Sequence, residues 1–318
     1  MIYANLNGKN HSKIALGCAA FGSTISKKDS FALMEKFFDN GGNVLDTARV
    51  YASWLQGGDG ASEKTIGEFL KLAGLRETAI ISTKGGHPPL DDMHNPRINK
   101  LDLTKDLNES LENLTSDYID IYYLHRDDER KDVSEIMPIL DGFVKEGKVK
   151  YLGASNWKVK RIIEANKFAR ENNLTPFSFS EIMWSYARIN KNAVYDDTLV
   201  VMDEEEYEGY SKQDLALMAY SSQAQGLYSI AKKIGWDNLS DAQKKLYDNE
   251  INRARADAVM KIARETSLSP TAIGLNHILH NQLNAIAIVG GDTQELLNDS
   301  LSSTLLDEQY LMWIDRGV

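Results

Sequence analysis

Four side chains with acid–base capacity, Asp46, Tyr51, Lys84 and His125, end or closely follow three successive apolar segments of the chain. Asp46 and Tyr51 lie in "NVLDTARVY" (43 to 51), Lys84 closes "AIISTK" (79 to 84), and His125 closes "YIDIYYLH" (118 to 125). A carboxylate, a phenol, an ammonium and an imidazole together suit the delivery of a proton to a carbonyl oxygen while another group gives hydride to the carbon. A phenol is a weak acid at neutral pH, with an ordinary pKa of about 10. An ammonium beside it stabilises the phenolate, so Lys84 is expected to lower the Tyr51 pKa, with Asp46 anchoring Lys84 and His125 orienting or polarising the carbonyl. An ordinary ion pair and two packed rings account for each residue singly; all four on successive strand ends favour catalysis.

The elements that must position them alternate. Apolar runs at 14 to 19, 43 to 46, 79 to 84, 118 to 125, 150 to 155, 177 to 182, 215 to 221 and 285 to 290 read as strands, with amphipathic helical patterns between them. In "SKKDSFALMEKFFDNGG", Ser26 stands three residues before Asp29, the spacing of a capping box, and glycines close the segment. Eight such strands predict an α/β fold, a parallel sheet closed into a (β/α)8 TIM barrel whose strand ends face one pocket. An open doubly wound sheet that binds a dinucleotide usually carries G-x-G-x-x-G after its first strand, and this chain has none. Residues 187 to 213 and 222 to 255 read as long connections after strands six and seven, with "DEEEYEGY" (203 to 210) a solvated acidic loop or a cover over the substrate mouth. No Pro/Gly/Ser linker divides the chain, so one domain is expected over 1–318.

Composition narrows the partners. Asp and Glu total 46 against 36 Lys and Arg, a net charge of -10, which disfavours nucleic acid and anionic membrane. A small molecule is the expected partner. The single cysteine, Cys18, excludes an intramolecular disulfide and a thiolate metal cluster. With no signal-like or membrane-spanning stretch, a cytoplasmic location is expected. His277 and His280 have a spacing that can bind metal, but no third ligand is evident and no metal is expected.

"LDTARVY", "ISTKGG", "YIDIYYLHRDD", "VKYLGASNW" and "AIVGG" followed by "TQELLNDSL" occur in an order and spacing that resembles the aldo-keto reductases, from about Ile14 to about Trp313. The resemblance implies a barrel closed at its bottom by an N-terminal hairpin, here roughly residues 1 to 12. It also implies reversible reduction of an aldehyde or ketone by NADPH or NADH, with Asp46, Tyr51, Lys84 and His125 as the catalytic positions. A sugar-like substrate is expected from the polar Arg126, Asp127 and Asp128 beside His125, although surface ion pairs also account for them.

By the same resemblance, Ser155 and Asn156 bond the nicotinamide carboxamide; Asn156 also fits a helix N-cap. Glu181 stands where the family usually has glutamine, and an ionised carboxylate only accepts hydrogen bonds. Trp184 matches the aromatic that stacks on the nicotinamide, and equally fits a core tryptophan. Ser221, Gln223 and Gly226 match the segment that wraps the pyrophosphate. Gly290 and Gly291 precede a helix starting near Asp292, suited to a phosphate or to a plain turn. Gln294 and Asn298 match positions near the adenosine. Asp292 departs from the arginine or lysine that grips a 2′-phosphate in many NADPH-dependent members, so NADH is expected to serve at least as well as NADPH. Trp54 lines the pocket or packs its loop, and Arg126 is a further pocket candidate. The alternative to a reductase is a regulatory or sensor protein that keeps the barrel and nucleotide site without useful turnover. An isomerase or lyase lacking nicotinamide leaves the segments around Trp184 and Asn298 unaccounted for.

Overall fold

The structure, a computed structural model, describes residues 1–190 and 192–314. An antiparallel hairpin comes first, β1 (Tyr3–Leu6) paired with β2 (Lys9–Ser12). Eight parallel strands follow: β3 (Ile14–Gly17), β4 (Val44–Asp46), β5 (Ile80–Gly85), β6 (Ile119–Leu124), β7 (Val149–Ser155), β8 (Phe177–Met183), β9 (Ala216–Tyr220) and β10 (Ala285–Val289). They pair in chain order, and β10 returns to β3 to close the barrel. Each strand lies within two residues of its expected bounds. Strands covered by helices on one side and barrel core on the other read as continuous apolar runs.

Side chains alternate along each strand, so every second residue enters the barrel. Ala15, Val44, Ile80, Ile121, Tyr123, Phe179, Ala216, Met218, Ile286 and Ile288 fill its interior together with Leu6 of the hairpin. Continuing these columns by two residues reaches Asp46, His125, Glu181, Tyr220 and Gly290, and by four from Ile80 reaches Lys84. The fold thus delivers these residues to one end of the barrel and the hairpin to the other.

At the hairpin end Asp120 of β6 is buried and accepts from Arg76 Nη1 at 2.9 Å and the Ile81 N–H at 3.1 Å, with Lys150 at 3.3 Å and the hairpin's Lys9 at 3.6 Å. Asp120→Ala strips a backbone donor and a mostly buried guanidinium of their acceptor. A loss of about 1–3 kcal/mol is expected, read as a lower urea midpoint at unchanged slope.

The helices between strands begin and end as their sequences indicate, with one amendment. Ser26 caps helix Lys27–Asp39 by accepting from the Asp29 N–H at 3.1 Å, but the Asp29 carboxylate accepts from the Ser26 hydroxyl at 2.6 Å, which makes half of a capping box.

Two expectations about the long connections are corrected. Residues 203 to 210 are not a solvated loop: Glu204–Ser211 is a helix capped by Asp203, its acids gathered in the first turn where the helix dipole favours them. Tyr210 is buried with its hydroxyl 2.7 Å from Ser180, and Glu206 accepts from the Val159 N–H at 2.8 Å. After β9 come helices Leu227–Ile234, Asp241–Tyr247 and Glu250–Glu265, which build a second apolar cluster around Leu227, Tyr228, Tyr247, Val259 and Ile262. Lys191, within the first connection, lies outside the described residues.

Candidate active site

Lys84 is the centre of a buried ion cluster. Its Nζ lies 2.7 Å from Asp46 Oδ1 and 3.2 Å from Glu181 Oε1, and donates to the Thr47 carbonyl at 2.9 Å. The Tyr51 hydroxyl is 3.3 Å away. Burial alone would lower the Lys84 pKa, but Asp46, Glu181 and Tyr51 outweigh it and hold the ammonium charged well above its ordinary range.

The effect on Tyr51 differs from the expected one. Burial raises its pKa, Asp46 and Glu181 add to that, and Lys84 only partly offsets them. Tyr51 is therefore a phenol at neutral pH, a donor whose anion has one cation beside it.

His125 completes the group. Its ring meets Tyr51 edge-on at 5.9 Å and His87 at 4.7 Å between centroids. Burial, the Arg126 guanidinium and the neighbouring His87 push its pKa well down, so the imidazole is neutral and offers one N–H. Trp54, half exposed, stands edge-on to Tyr51 at 6.4 Å.

Asp46 and Tyr51 open onto a cavity of about 680 Å³, within the range of small-molecule sites. Tyr220, Ser221, Gln223, Gly226, Gly290, Gly291 and Asp292 line it as well. Ser221 and Gly226 have left-handed backbones, φ 54° and 73°, as the chain turns around the cavity into helix Leu227–Ile234. Gln223 ties both edges together, accepting from the Gly290 N–H at 3.0 Å and donating to Ser300 at 2.8 Å. Helix Gln294–Ser302, capped by Thr293, starts beside Gly291 and Asp292. One cavity joining Tyr51 to glycine-rich turns and a helix N-terminus fits a dinucleotide, with an aromatic wall for a flat ring and N–H-bearing turns for phosphates.

Several expected positions lie elsewhere. Trp184 is not on the cavity wall: its indole packs edge-on against Tyr207 and His277, at 6.1 and 5.4 Å. Its parity explains this, since Glu181 of β8 faces inward and a residue three further on, just past the strand end, does not. Tyr220 is the wall aromatic, and its position two beyond the inward Met218 is the signal that identifies it. Asn298 faces a separate hollow with Met1 and Asn40, whereas Asp299 lines the cavity, because one helical step turns the side chain by about 100°. Gln294 is exposed and does not line the cavity.

Ser155 and Asn156 are buried beside β8, Ser155 in register with Glu181. Asn156 is no N-cap; Lys158 holds that position. Instead Asn156 Oδ1 accepts from the Tyr220 hydroxyl at 2.6 Å and the Val200 N–H at 3.2 Å. Arg126 does not reach the cavity either. It is a latch on the connection after β8, bonding Thr198 at 2.9 Å, the His125 carbonyl at 2.8 Å and Asp196 at 3.4 Å. Asp127 pairs with Arg161 and Asp128 with Arg130. His277 is buried, and among the described residues no group of three His, Cys, Asp or Glu is placed to hold a metal ion. No described helix is long and apolar enough to cross a membrane.

Known proteins share this chain's pattern along nearly its whole length. It is 27% identical to norsolorinic acid reductase of Aspergillus flavus over 99% of this chain and 79% of that one. It is 26% identical to an NADP(+)-named aryl-alcohol dehydrogenase of Phanerodontia chrysosporium, covering 93% and 79%, and 28% identical to an aryl-alcohol dehydrogenase of Pestalotiopsis microspora, covering 89% and 70%. Residues 13–316 match the aldo/keto reductase family as a whole. With its closed barrel, N-terminal hairpin and this match, the chain belongs to the aldo/keto reductase family of oxidoreductases.

Proposed function

We propose that this aldo-keto reductase reduces small aromatic aldehydes or ketones reversibly, with Tyr51 as the proton donor and NADH serving at least as well as NADPH. The observation that carries the reading is the buried Lys84 ammonium, held by Asp46 at 2.7 Å and 3.3 Å from the hydroxyl of Tyr51, which with Asp46 lines the dinucleotide-sized cavity. Hydride is the chemistry a reduced nicotinamide supplies when bound. As the carbonyl carbon gains it, Tyr51 gives its hydroxyl proton to the carbonyl oxygen, and the alcohol forms. The phenolate left behind is compensated by Lys84, whose position Asp46 and the Thr47 carbonyl fix before the reaction begins. The neutral His125 donates an N–H to the same carbonyl oxygen and orients it. In alcohol oxidation the proton returns to Tyr51.

Of the dinucleotide positions, we place the nicotinamide against Tyr220, with Ser155, Asn156 and Glu181 around its carboxamide end. Ser221, Gln223, Gly226, Gly290 and Gly291 enclose the phosphates.

The aromatic preference rests on Trp54, His87, His125 and Tyr51, which meet ring to ring at the site, and on the substrates in the relatives' names. The sugar-like alternative loses its basis, because Arg126, Asp127 and Asp128 are engaged with other protein groups. Titrating the protein with NADH and NADPH by fluorescence, then adding benzaldehydes and aldoses while following nicotinamide absorbance, tests the reading. Faster oxidation of cofactor with benzaldehydes is expected; binding of neither nucleotide would refute it.

The cofactor preference follows from charge. Among the described residues lining the cavity there is no lysine or arginine, while Asp292 and Asp299 present carboxylates. A 2′-phosphate there meets like charge, and a ribose hydroxyl meets acceptors. Asp292→Arg is expected to raise kcat/KM for NADPH about tenfold relative to NADH, equivalent to roughly 1.4 kcal/mol. A hundredfold NADPH preference in the unaltered protein contradicts this assignment.

A further inference from the structure

Glu181 is the one ionisable member of the Lys84 cluster that proton transfer from Tyr51 does not itself require. It ends the inward column of β8, between Ser155 of β7 and Met218 of β9 in the strand register. Oε1 faces Lys84 at 3.2 Å, no hydrogen bond reaches the buried Oε2, and the Asp46 carboxyl shares the same ammonium at 2.7 Å. The ionisable groups around it are Lys84 of β5, Asp46 of β4, Tyr51 of the following loop, Tyr123 of β6 and Tyr220 of β9.

Charge within this group is constrained by burial. With both carboxyls ionised, one ammonium faces two anions, and a proton leaving Tyr51 makes a third. A proton on one of the two carboxyls leaves the cluster neutral before reaction. Then the phenolate is the second anion rather than the third.

Resting on the reading of Tyr51 as acid, we propose that Glu181 is a positioning residue that must hold a proton for Tyr51 to release its own, so that ionisation of Glu181 switches carbonyl reduction off. Burial, reinforced by Asp46 and opposed by Lys84, pushes the Glu181 carboxyl up to about 8, which sets the switch in the mildly alkaline range.

The deciding comparison is between the full chain and Glu181→Gln, nearly the same shape without the titration. Under saturating NADH and benzaldehyde, kcat of the unaltered protein should break near pH 8 and fall about tenfold per pH unit above it. The normalised Glu181→Gln profile should stay level through that range. Thermal stability gives a second readout. A carboxyl raised from its ordinary 4.5 binds a proton in the native state that the unfolded chain has released, so its contribution is present below 4.5 and lost as pH rises towards 8. The Tm of the unaltered protein should therefore fall relative to that of Glu181→Gln between pH 5 and 9. Asp127 and Glu206, which burial raises to about 6 and about 7, are common to both proteins and cancel in the difference. Turnover with superimposed kcat profiles, or a Tm difference independent of pH, overturns the switch alone. No turnover by either protein with any aldehyde, the Tm difference intact, overturns the reductase reading and the switch with it.

Discussion

Tyr51→Phe is expected to lower kcat for aldehyde reduction by roughly 10²–10⁴-fold, the usual worth of a positioned general acid, while leaving NADH affinity unchanged. The substitution removes only the hydroxyl, which lies 3.3 Å from Lys84. The ring keeps its edge contacts with Trp54 and His125, so the cavity wall survives. Because the hydroxyl acts on the carbonyl oxygen and not on the nucleotide, loss in kcat without loss in nucleotide binding distinguishes proton donation from support of the fold. Rapid-mixing turnover together with fluorescence titration measures both; equal turnover removes Tyr51 from its assigned role.

Lys84→Met should produce the largest change in stability. Lys84 is fully buried and pairs with two buried carboxyls, and methionine fills its volume without its charge. Removing one partner of a buried ion pair typically costs about 3–5 kcal/mol, because the remaining charge is left in a poor solvent. That is a large part of the roughly 5–15 kcal/mol that holds a domain folded. With Glu181 holding its proton, the Asp46 carboxylate is the charge left unpaired, so Lys84→Met with Asp46→Asn should recover stability relative to Lys84→Met alone. Urea unfolding of the two variants checks this. Turnover should be lost in both variants, since a Tyr51 phenolate has no cation left beside it.

Much of this arrangement is legible in the sequence, for reasons that also mark where legibility stops. Buried parallel strands must be continuously apolar, so the runs around Val44, Ile81, Ile121 and Ile286 declare themselves. The polar residue that ends each run declares the pocket end. What the runs do not show is the direction of side chains beyond a strand end or along a helix. Strand parity assigns Tyr220 to the cavity and withholds Trp184 from it, but parity is readable only once the inward register is fixed by the barrel. Asn298 and Asp299 differ by one helical step, and the packing of the helix beside Met1 and Asn40 decides which faces the cavity. Arg126 meets partners, Asp196 and Thr198, supplied by a connection far along the chain. The acidic stretch from Asp203 reads as solvated loop because its charge hides a capping aspartate and the inward Tyr210. Glu181 is legible as a departure from glutamine, yet its contact with Lys84 runs across the barrel interior and has no trace in local sequence.

The most direct measurement is a crystal structure of the protein with an oxidised nicotinamide dinucleotide. Density for the nicotinamide ring is expected in the cavity between Tyr220 and the Tyr51 hydroxyl, with the phosphates along the turns from Ser221 to Gly226. Density confined instead to the neighbouring groove lined by Arg97, Lys105 and Asp106, or a ring out of reach of Tyr51, would contradict proton donation to a carbonyl at this site.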